Sequence, residues 1–273
     1  MNSPYQFYSY VKNNFIFIEI IKYFWYNKRK FFLELIMGKY LVIDSRMRKV
    51  EKDLLRSLGY RIIQLKENKT VYYEISSHVD IFLAKIKDKI IAHKSVYGDI
   101  KEKIGNGNIF LGQTSLEKTY PLDIAFNVCN IGEFVIHNFR YTDKKVLDVI
   151  EKMGLEKINI SQGYSNCSIA VIDENSCIVT DKKIYESLIK YGIDVLYLEY
   201  IPDIKLIGKE GCSNMKGFIG GAISKIGDNI VIFGDLNKID LKNKIRSFII
   251  SKNLNLIDFK DLDVIDYGGI LEV

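Results

Sequence analysis

The pattern of apolar and polar positions repeats along this chain, and its clearest copy covers residues 166–200. CSIAVID and CIVTD read as two short strands joined by a tight turn, because β-branched residues lie between turn residues. The next stretch, KKIYESLIKYG, places Ile184 and Leu188 on one helical face and stops at Gly192. IDVLYLEY then reads as a third strand. The unit is predicted to be strand, strand, helix, strand.

Further copies of this pattern fill the chain from Met37 to its end. Their leading strands are predicted over 79–86, 122–131 and 217–226, and their second strands end at Asp44, His93, His137 and Gly234. The first copy lacks a leading strand, whereas the last run, 264–273, lacks a partner. Pairing that run with the strand at 39–44 completes five units and closes a ring. The predicted fold class is therefore α/β, a five-bladed ββαβ propeller in a single domain over 37–273.

Residues 1–36 do not follow the repeat and are crowded with aromatic side chains. Their apolar run from Phe15 to Trp25 is interrupted by Glu19 and Lys22, and it is shorter than the about 20 residues of a membrane span. No integral membrane segment is predicted. Three interpretations stay open: an upstream extension that is not part of the native protein, a segment lying on a membrane surface, or an accessory helix.

Composition and charge describe an ordinary globular protein. Apolar residues make up 48% of the chain and charged residues 27%, and the 39 basic and 34 acidic side chains are mixed along it. This mixture favours a solvated lysine-rich surface over a continuous basic surface that binds nucleic acid. A weak attraction to RNA or the ribosome stays open. The four widely spaced cysteines predict reduced thiols in the cytoplasm, with no zinc-finger spacing. Neither a cofactor nor a metal is predicted.

Alignment of the copies places polar side chains at one mouth of the ring. The start of each leading strand lies opposite the end of the second strand, and the pairs are Asp80 with His93, Asp123 with His137, Cys167 with Asp181, Gly220 with Gly234, and Asp266 with Asp44. Carboxylates, imidazoles and a thiol are the groups that acid–base and covalent catalysis use. The mouth is therefore the predicted site.

Five ββαβ units around an axis resemble the pentein fold of guanidino-group-modifying enzymes. That fold is shared by arginine and agmatine deiminases, dimethylarginine hydrolases, amidinotransferases and a non-catalytic ribosome anti-association factor. The stretches SQGYSNCSIAVIDENSCIVTD, GFIGGAISKIGDNIVIFGD and DYGGILEV are similar to a bacterial family of unknown activity with this fold. The resemblance covers 37–273. It implies a thiol-dependent hydrolase or amidinotransferase acting on a small guanidino-type cation or, alternatively, a non-catalytic pentein that binds a macromolecule such as the ribosome.

The resemblance also implies roles for the residues at the mouth. In deiminase-type enzymes a cysteine attacks the guanidinium carbon, a histidine moves protons, and carboxylates hold the cation. The stretch from Gln162 to Ser168 is similar to the turn around that cysteine. The implied nucleophile is Cys167, the implied bases are His137 or His93, and the implied cation ligands are Asp80, Asp123, Asp181, Asp266 and Asp44. The family's histidine usually opens a leading strand two places before an acidic residue, a position where the alignment shows no histidine.

Structural roles are the competing interpretation of the same residues. Asp44, Asp181 and Asp235 stand just before predicted helices, where a carboxylate caps free backbone N–H groups. Cys167 is also consistent with a small core side chain, and each histidine with a hydrogen-bonded structural residue. The insertion over 201–216 is interpreted either as a lid over the mouth or as a surface loop.

Overall fold

The computed structural model describes residues 39–105 and 107–273, and the predicted extension over 1–36 lies outside them. The strands are β1 (Tyr40–Asp44), β2 (Arg61–Leu65), β3 (Leu83–Ile86), β4 (Lys89–Ala92), β5 (Ile109–Leu111), β6 (Cys129–Ile131), β7 (Phe134–His137), β8 (Glu156–Asn159), β9 (Ile169–Asp173), β10 (Ser176–Val179), β11 (Asp194–Tyr197), β12 (Lys205–Gly208), β13 (Gly211–Lys216), β14 (Ile223–Ile226), β15 (Asn229–Ile232), β16 (Asn255–Ile257) and β17 (Leu271–Glu272). The helices are α1 (Lys49–Ser57), α2 (Val79–Phe82), α3 (Lys94–Ile104), α4 (Lys144–Met153), α5 (Ser165–Ser168), α6 (Lys182–Leu188), α7 (Ile219–Ala222) and α8 (Lys244–Ser251).

Five three-stranded sheets in the described part of the chain follow one plan. An antiparallel hairpin is followed by a helix, which leads to a third strand parallel to the second, as in β3, β4, α3 and β5. The sheets β6–β8, β9–β11 and β14–β16 repeat this order. In the remaining sheet β17 takes the place of the leading strand, with Leu41 opposite Glu272 and Val42 opposite Leu271. The predicted pairing of the C-terminal strand with the first strand is therefore present.

The leading strands lie side by side without hydrogen bonding to one another. No strand pairing joins one three-stranded sheet to the next in the part of the chain that the structure describes. Instead β3 lies against β6, β6 against β9, and β9 against β14. The terminal segment continues this order, because the backbone N–H groups of Tyr267 and Gly269 donate to the Gly221 carbonyl at 3.0 and 3.1 Å. The Gly268 carbonyl in turn accepts from the backbone N–H of Asp80 at 3.3 Å.

Apolar side chains hold neighbouring sheets together. Ile136 and Ile158 of one sheet share a buried cluster with Ile169 and Val179 of the next. Full burial of one such side chain contributes about 1.5–3 kcal/mol to stability. Because no strand pairing joins these described sheets, this apolar packing is the main contact between them. None of the helices within the described ranges is both long and apolar enough to cross a membrane.

The predicted leading strands are shorter than expected, because helical turns occupy their first residues. The turns α2, α5 and α7 precede β3, β9 and β14. Apolar residues that are buried on every side do not distinguish a strand from one turn of helix, which explains the difference. The free N–H groups of such a turn need acceptors, and at α5 the Asn127 Oδ1 atom accepts from the backbone of Asn166 at 2.8 Å and of Cys167 at 3.3 Å.

The insertion over 201–216 contains the hairpin of β12 and β13. Its base is fixed to the terminal segment by two backbone hydrogen bonds. The Lys205 N–H donates to the Val264 carbonyl at 2.8 Å, and the Lys205 carbonyl accepts from Asp266 at 2.9 Å. This attachment places the hairpin beside the terminal segment that carries Asp266.

Candidate active site

The short helical turns bring a thiol and a carboxylate together in the interior. The Cys167 Sγ atom, on α5, donates a hydrogen bond to the Asp80 Oδ2 atom, on α2, at 2.8 Å. The Asn127 Nδ2 group donates to the same sulfur at 3.1 Å, and Asn166 Nδ2 donates to Asp80 Oδ2 at 3.2 Å. Cys167 is buried, so these three groups define its surroundings. The thiol is therefore held in a polar network, which a simple core side chain would not require.

A histidine that the sequence analysis did not consider lies beside this thiol. Donor atoms of His78, Asp80 and Cys167 all lie within 4.8 Å of one another, and His78 Nδ1 is 3.8 Å from Asp266 Oδ1. The His78 side chain is 1% exposed, yet neither of its ring nitrogens has a hydrogen-bond partner. A buried polar group without a partner costs about 1–3 kcal/mol. A folded protein that accepts this cost is typical of a site whose ring nitrogens bind a ligand or a proton.

Asp266 supplies the second buried carboxylate of the site. Its Oδ2 atom accepts from the backbone N–H of Phe218 and its Oδ1 atom from that of Gly268, both at 2.8 Å. These bonds fix the carboxylate at the junction between α7 and the terminal segment. A Cβ atom on Gly221 would lie 2.5 Å from the Asp266 Cγ atom, so this close approach requires glycine.

Burial shifts the proton affinity of every ionisable group in the cluster toward the neutral form. It raises the pKa of Asp80 to about 6. Burial and the nearby charge of Asp80 raise the pKa of Asp266 to about 7. The pKa of the Cys167 thiol is raised well above its usual value. Burial is the largest cause, and the negative charges of Asp80 and Asp266 are the next. Burial and the charge of Arg46 hold the pKa of His78 well below its usual value. A cation would reverse the first three shifts.

A cavity of about 340 Å³ opens onto the thiol. His78, Cys167 and Asp266 line one part of it, and Leu206 and Met215 of the β12–β13 hairpin line another. The 201–216 insertion thus covers one side of the cavity, as the lid interpretation predicts. A second cavity of about 650 Å³ touches Asp80 and Asn166 but is not lined by Cys167 or His78. The smaller cavity is therefore the one in which a ligand would meet the reactive groups.

The other predicted site residues make contacts of their own. His93 Nδ1 bonds to Ser95 Oγ at 2.7 Å, and burial lowers its pKa. His137 bonds to Thr142 Oγ1 at 2.6 Å and to the Gly163 carbonyl at 3.1 Å, and burial lowers its pKa to about 4. Neither ring bonds to Cys167. The role of either histidine as a base stays a prediction.

The remaining predicted carboxylates are distributed around the cluster. Asp123 accepts from the Tyr164 hydroxyl at 2.6 Å. Asp44 forms a bidentate ion pair with Arg46, at 3.0 Å to Nε and 2.7 Å to Nη2. Asp181 caps α6 by accepting from the backbone of Lys183 at 2.7 Å, as the capping interpretation predicts. Of the five predicted cation ligands, Asp80 and Asp266 are the two that surround the thiol and His78.

The histidine was missed although its spacing is readable in the sequence. His78 stands two places before Asp80, which is the spacing that the resemblance implies for the catalytic histidine. The predicted leading strand of this copy began at Val79, so His78 lay outside the aligned positions. Asn127 gave no comparable signal, because an isolated asparagine within an apolar run has no distinctive spacing.

The cluster also has the donor types of a metal site. A ring nitrogen, a carboxylate oxygen and a thiol from His78, Asp80 and Cys167 could together hold one ion. Such a donor set suits Zn²⁺. The predicted bases His93 and His137 are not part of this group.

Comparisons with known proteins agree with the fold. A family model described as a family of unknown function, DUF6873, matches residues 42–271. No curated protein matches the chain. A dimethylarginine dimethylaminohydrolase solved as an adduct with S-methyl-L-thiocitrulline is similar, with 10% identity, a TM-score of 0.51 and coverage of 83% of this chain and 92% of that one. It is a pentein enzyme, so the predicted resemblance to the pentein fold is confirmed.

Two further solved structures are similar at lower scores. The agmatine deiminase of C. jejuni is 12% identical, with a TM-score of 0.47 and coverage of 83% of this chain and 88% of that one. The inosamine-phosphate amidinotransferase of Streptomyces griseus is 11% identical, with a TM-score of 0.49 and coverage of 81% and 75%. At these identities the likeness concerns the fold alone.

Proposed function

This chain belongs to the DUF6873 family, and we propose that it is a thiol-dependent hydrolase or transferase acting on a guanidino-type cation. The observation that carries the proposal is the unpartnered His78 ring, buried within 4.8 Å of the Cys167 thiol and the Asp80 carboxylate. A nucleophile, a base and the Asp266 carboxylate then line one cavity, and the Asp80 carboxylate bonds to the nucleophile. The overall fold we propose is a closed five-bladed propeller formed by a single domain over 37–273.

The two carboxylates would hold the cationic head of the substrate. Asp80 and Asp266 are both buried, so their attraction for a cation is little screened by water. The same cation lowers the cost of ionising the Cys167 thiol, whose pKa the carboxylates raise in its absence. Substrate binding would thus activate the nucleophile. The deiminase, hydrolase and amidinotransferase chemistry of the similar structures supports this assignment by analogy of fold.

The reaction then proceeds in two steps on the guanidinium carbon. The Cys167 thiol passes its proton to His78 and its sulfur forms a C–S bond to that carbon. His78 returns the proton to the leaving amine as the C–N bond breaks, which leaves an S-amidino group on the sulfur. Water, or a second amine in a transferase, attacks this group and gives its proton to His78. The C–S bond breaks and the thiol takes the proton back.

The test is a comparison of two alkylating reagents on the full chain. Chloroacetamidine is a cation with the shape of the neutral chloroacetamide, and mass spectrometry reads each modified cysteine separately. At pH 8 we expect Cys167 to prefer the cationic reagent by roughly tenfold or more, since a hydrogen bond to a charged group contributes about 1.5–3 kcal/mol. The exposed Cys212 provides the internal control and should show no such preference.

Three histidine variants assign the base. His78→Gln should slow the alkylation of Cys167 by both reagents while leaving the reaction of Cys212 unchanged. If His93→Gln or His137→Gln slows it instead, the original prediction for those residues holds and His78 is not the base. An inert Cys167, or one that reacts equally with both reagents, would contradict the proposed function. The alternative of a non-catalytic, ribosome-binding protein would then be tested by salt-dependent co-sedimentation with ribosomes.

A further inference from the structure

The wall of the 340 Å³ cavity differs in chemistry from its acidic end. Tyr72, Tyr164 and Phe218 contribute aromatic rings to it, and Ile75 contributes an aliphatic side chain. The ring centroids of Tyr164 and Phe218 are 6.0 Å apart with a tilt of 36°. Aromatic pairs at such separations form a surface onto which a further ring can stack. The cavity thus combines the Asp266 carboxylate at one end, backed by Asp80 on the far side of the thiol, with an aromatic wall.

The tyrosine hydroxyls on this wall are already engaged with protein partners. The Tyr164 hydroxyl donates to Asp123 Oδ2 at 2.6 Å, and the Tyr72 hydroxyl lies 3.2 Å from the Tyr164 oxygen. Because Tyr164 gives its proton to Asp123, Tyr72 is the donor in the second bond. The two hydroxyls therefore form a chain that ends at a carboxylate. What the wall offers a ligand is mainly the apolar part of its rings.

A negatively charged tail would find little to bind in this cavity. Among the described residues that line it, Lys216 is the one cation. Its ammonium group forms an ion pair with Asp203, which also pairs with Lys205 at 2.7 Å. A carboxylate on the ligand would have to displace Asp203 from Lys216. It would also enter the field of Asp266, which lines the same cavity.

We infer that the ligand of this site is an amidinium or guanidinium carried on an aromatic body, without a carboxylate on its tail. This inference rests on the proposed function, because it assumes that Asp80 and Asp266 hold the cationic head. The cavity volume lies at the low end of the range for small-molecule sites, which suits one ring with a short substituent. Phe218, Tyr164 and Tyr72 are then the residues that set specificity, through contact with the ligand body.

Binding to the full chain carrying Cys167→Ser tests the inference without covalent chemistry. Isothermal titration calorimetry at pH 8 compares benzamidine, acetamidine, 4-amidinobenzoate and L-arginine. Acetamidine is the cationic head alone, and 4-amidinobenzoate is benzamidine with an added carboxylate. We expect benzamidine to bind about tenfold or more tightly than each of the other three, since it alone combines the cation with an uncharged ring.

One aromatic substitution separates stacking from a general loss of stability. Phe218→Leu should weaken benzamidine binding by about threefold to tenfold and leave acetamidine binding unchanged. Phe134→Leu is the matched control, because Phe134 is also half-buried and packs on Tyr191 at 5.6 Å, outside the cavity lining. It should change neither affinity.

The possible failures are distinguishable. If arginine or 4-amidinobenzoate binds as tightly as benzamidine while Cys167 in the unmodified chain still prefers the cationic alkylating reagent, the inference about the ligand body is wrong and the proposed function stands. If Phe218→Leu has no effect on benzamidine binding, the aromatic wall does not contact the ligand. If none of the cations binds, and Cys167 shows no preference, both proposals fail together.

Discussion

The carboxylate of Asp80 illustrates how a functional residue can act against stability. It is buried, and burial raises its pKa to about 6 from its ordinary value of 3.8. Between these two values the folded protein holds a proton that the unfolded chain has released. Stability therefore falls as the pH rises through this window, and the full deficit is present above about pH 6. A neutral side chain of the same shape would remove the deficit.

Asp80→Asn should consequently stabilise the protein at alkaline pH. Its amide oxygen can take the place of Oδ2, which accepts the bonds from Cys167 and Asn166, while Oδ1 has no partner to lose. Relative to the unchanged chain we expect near equality at pH 4 and a gain of about 1–3 kcal/mol in the free energy of unfolding at pH 8. Denaturant unfolding at both pH values measures the difference.

A control for this prediction is the same substitution at a helix cap. Asp181→Asn keeps a capping oxygen for the backbone of Lys183 and should give no gain at pH 8. An equal effect of Asp80→Asn at both pH values would show that the charge of Asp80 is not the source of the cost. Asp80→Asn should also abolish the preference of Cys167 for the cationic reagent, which links the stability deficit to the proposed cation site.

Sequence reasoning located part of this cluster because the repeat made equivalent positions visible. Asp80, Cys167 and Asp266 each open a unit of the alignment, and the structure brings all three together. His78 was missed because it stands one residue before the predicted leading strand, at the N-cap of α2. Asn127 could not have been found at all, since only the folded chain shows that its amide bonds to α5.

At the scale of elements, the hairpins and helices were predictable and the turns at the axis were not. Short β-branched runs followed by an amphipathic helix and glycine gave each unit its order, which the structure repeats. The one-turn helices α2 and α7 consist of buried residues, and α5 is buried except for the half-buried Asn166. Apolar periodicity is informative only where one face meets water, so it could not identify them.

The contact between α7 and α5 makes a specific glycine essential. A Cβ atom on Gly220 would lie 2.6 Å from the Ile169 carbonyl oxygen and 2.7 Å from that of Cys167. The Asn166 carbonyl oxygen is a third obstacle, and because all three are backbone atoms, Gly220→Ala must displace the segment that carries the thiol. We expect a loss of at least about 2 kcal/mol in the free energy of unfolding, and a slower reaction of Cys167 with chloroacetamidine.

Gly98→Ala is the matched comparison, measured by the same denaturant titration. Gly98 lies inside α3, where an added Cβ atom would meet nothing within 4 Å. Alanine there should stabilise the helix by roughly 0.5–1 kcal/mol. If both substitutions changed stability in the same direction, close backbone approach would not explain the requirement at Gly220.

At the scale of the whole molecule, the closing contact was predictable from counting strands. One unit lacked a leading strand and one run at the end of the chain lacked a partner, and β17 does pair with β1. How the sheets pack on one another was not predictable, because that packing uses apolar contacts without a strand register. The proposal of a closed ring therefore depends on how strongly β17 and its neighbours stabilise the rest.

Leu271→Ala measures the strength of this closure. Leu271 is 7% exposed, pairs with Val42 across the two strands, and belongs to the same buried cluster as Ile81 and Phe82 next to the active site. If β17 closes a ring, removing this side chain creates a cavity in the core and should cost about 2–4 kcal/mol in a single unfolding transition. Leu241→Ala, at a leucine that is 55% exposed, should cost less than about 0.5 kcal/mol.

Circular dichroism during denaturant unfolding gives both values, and hydrogen exchange should show faster opening of β1 as well as β17. A loss below about 1 kcal/mol, with faster exchange confined to residues 271–273, would mean that β17 frays as a free end and that the ring is held by its other contacts.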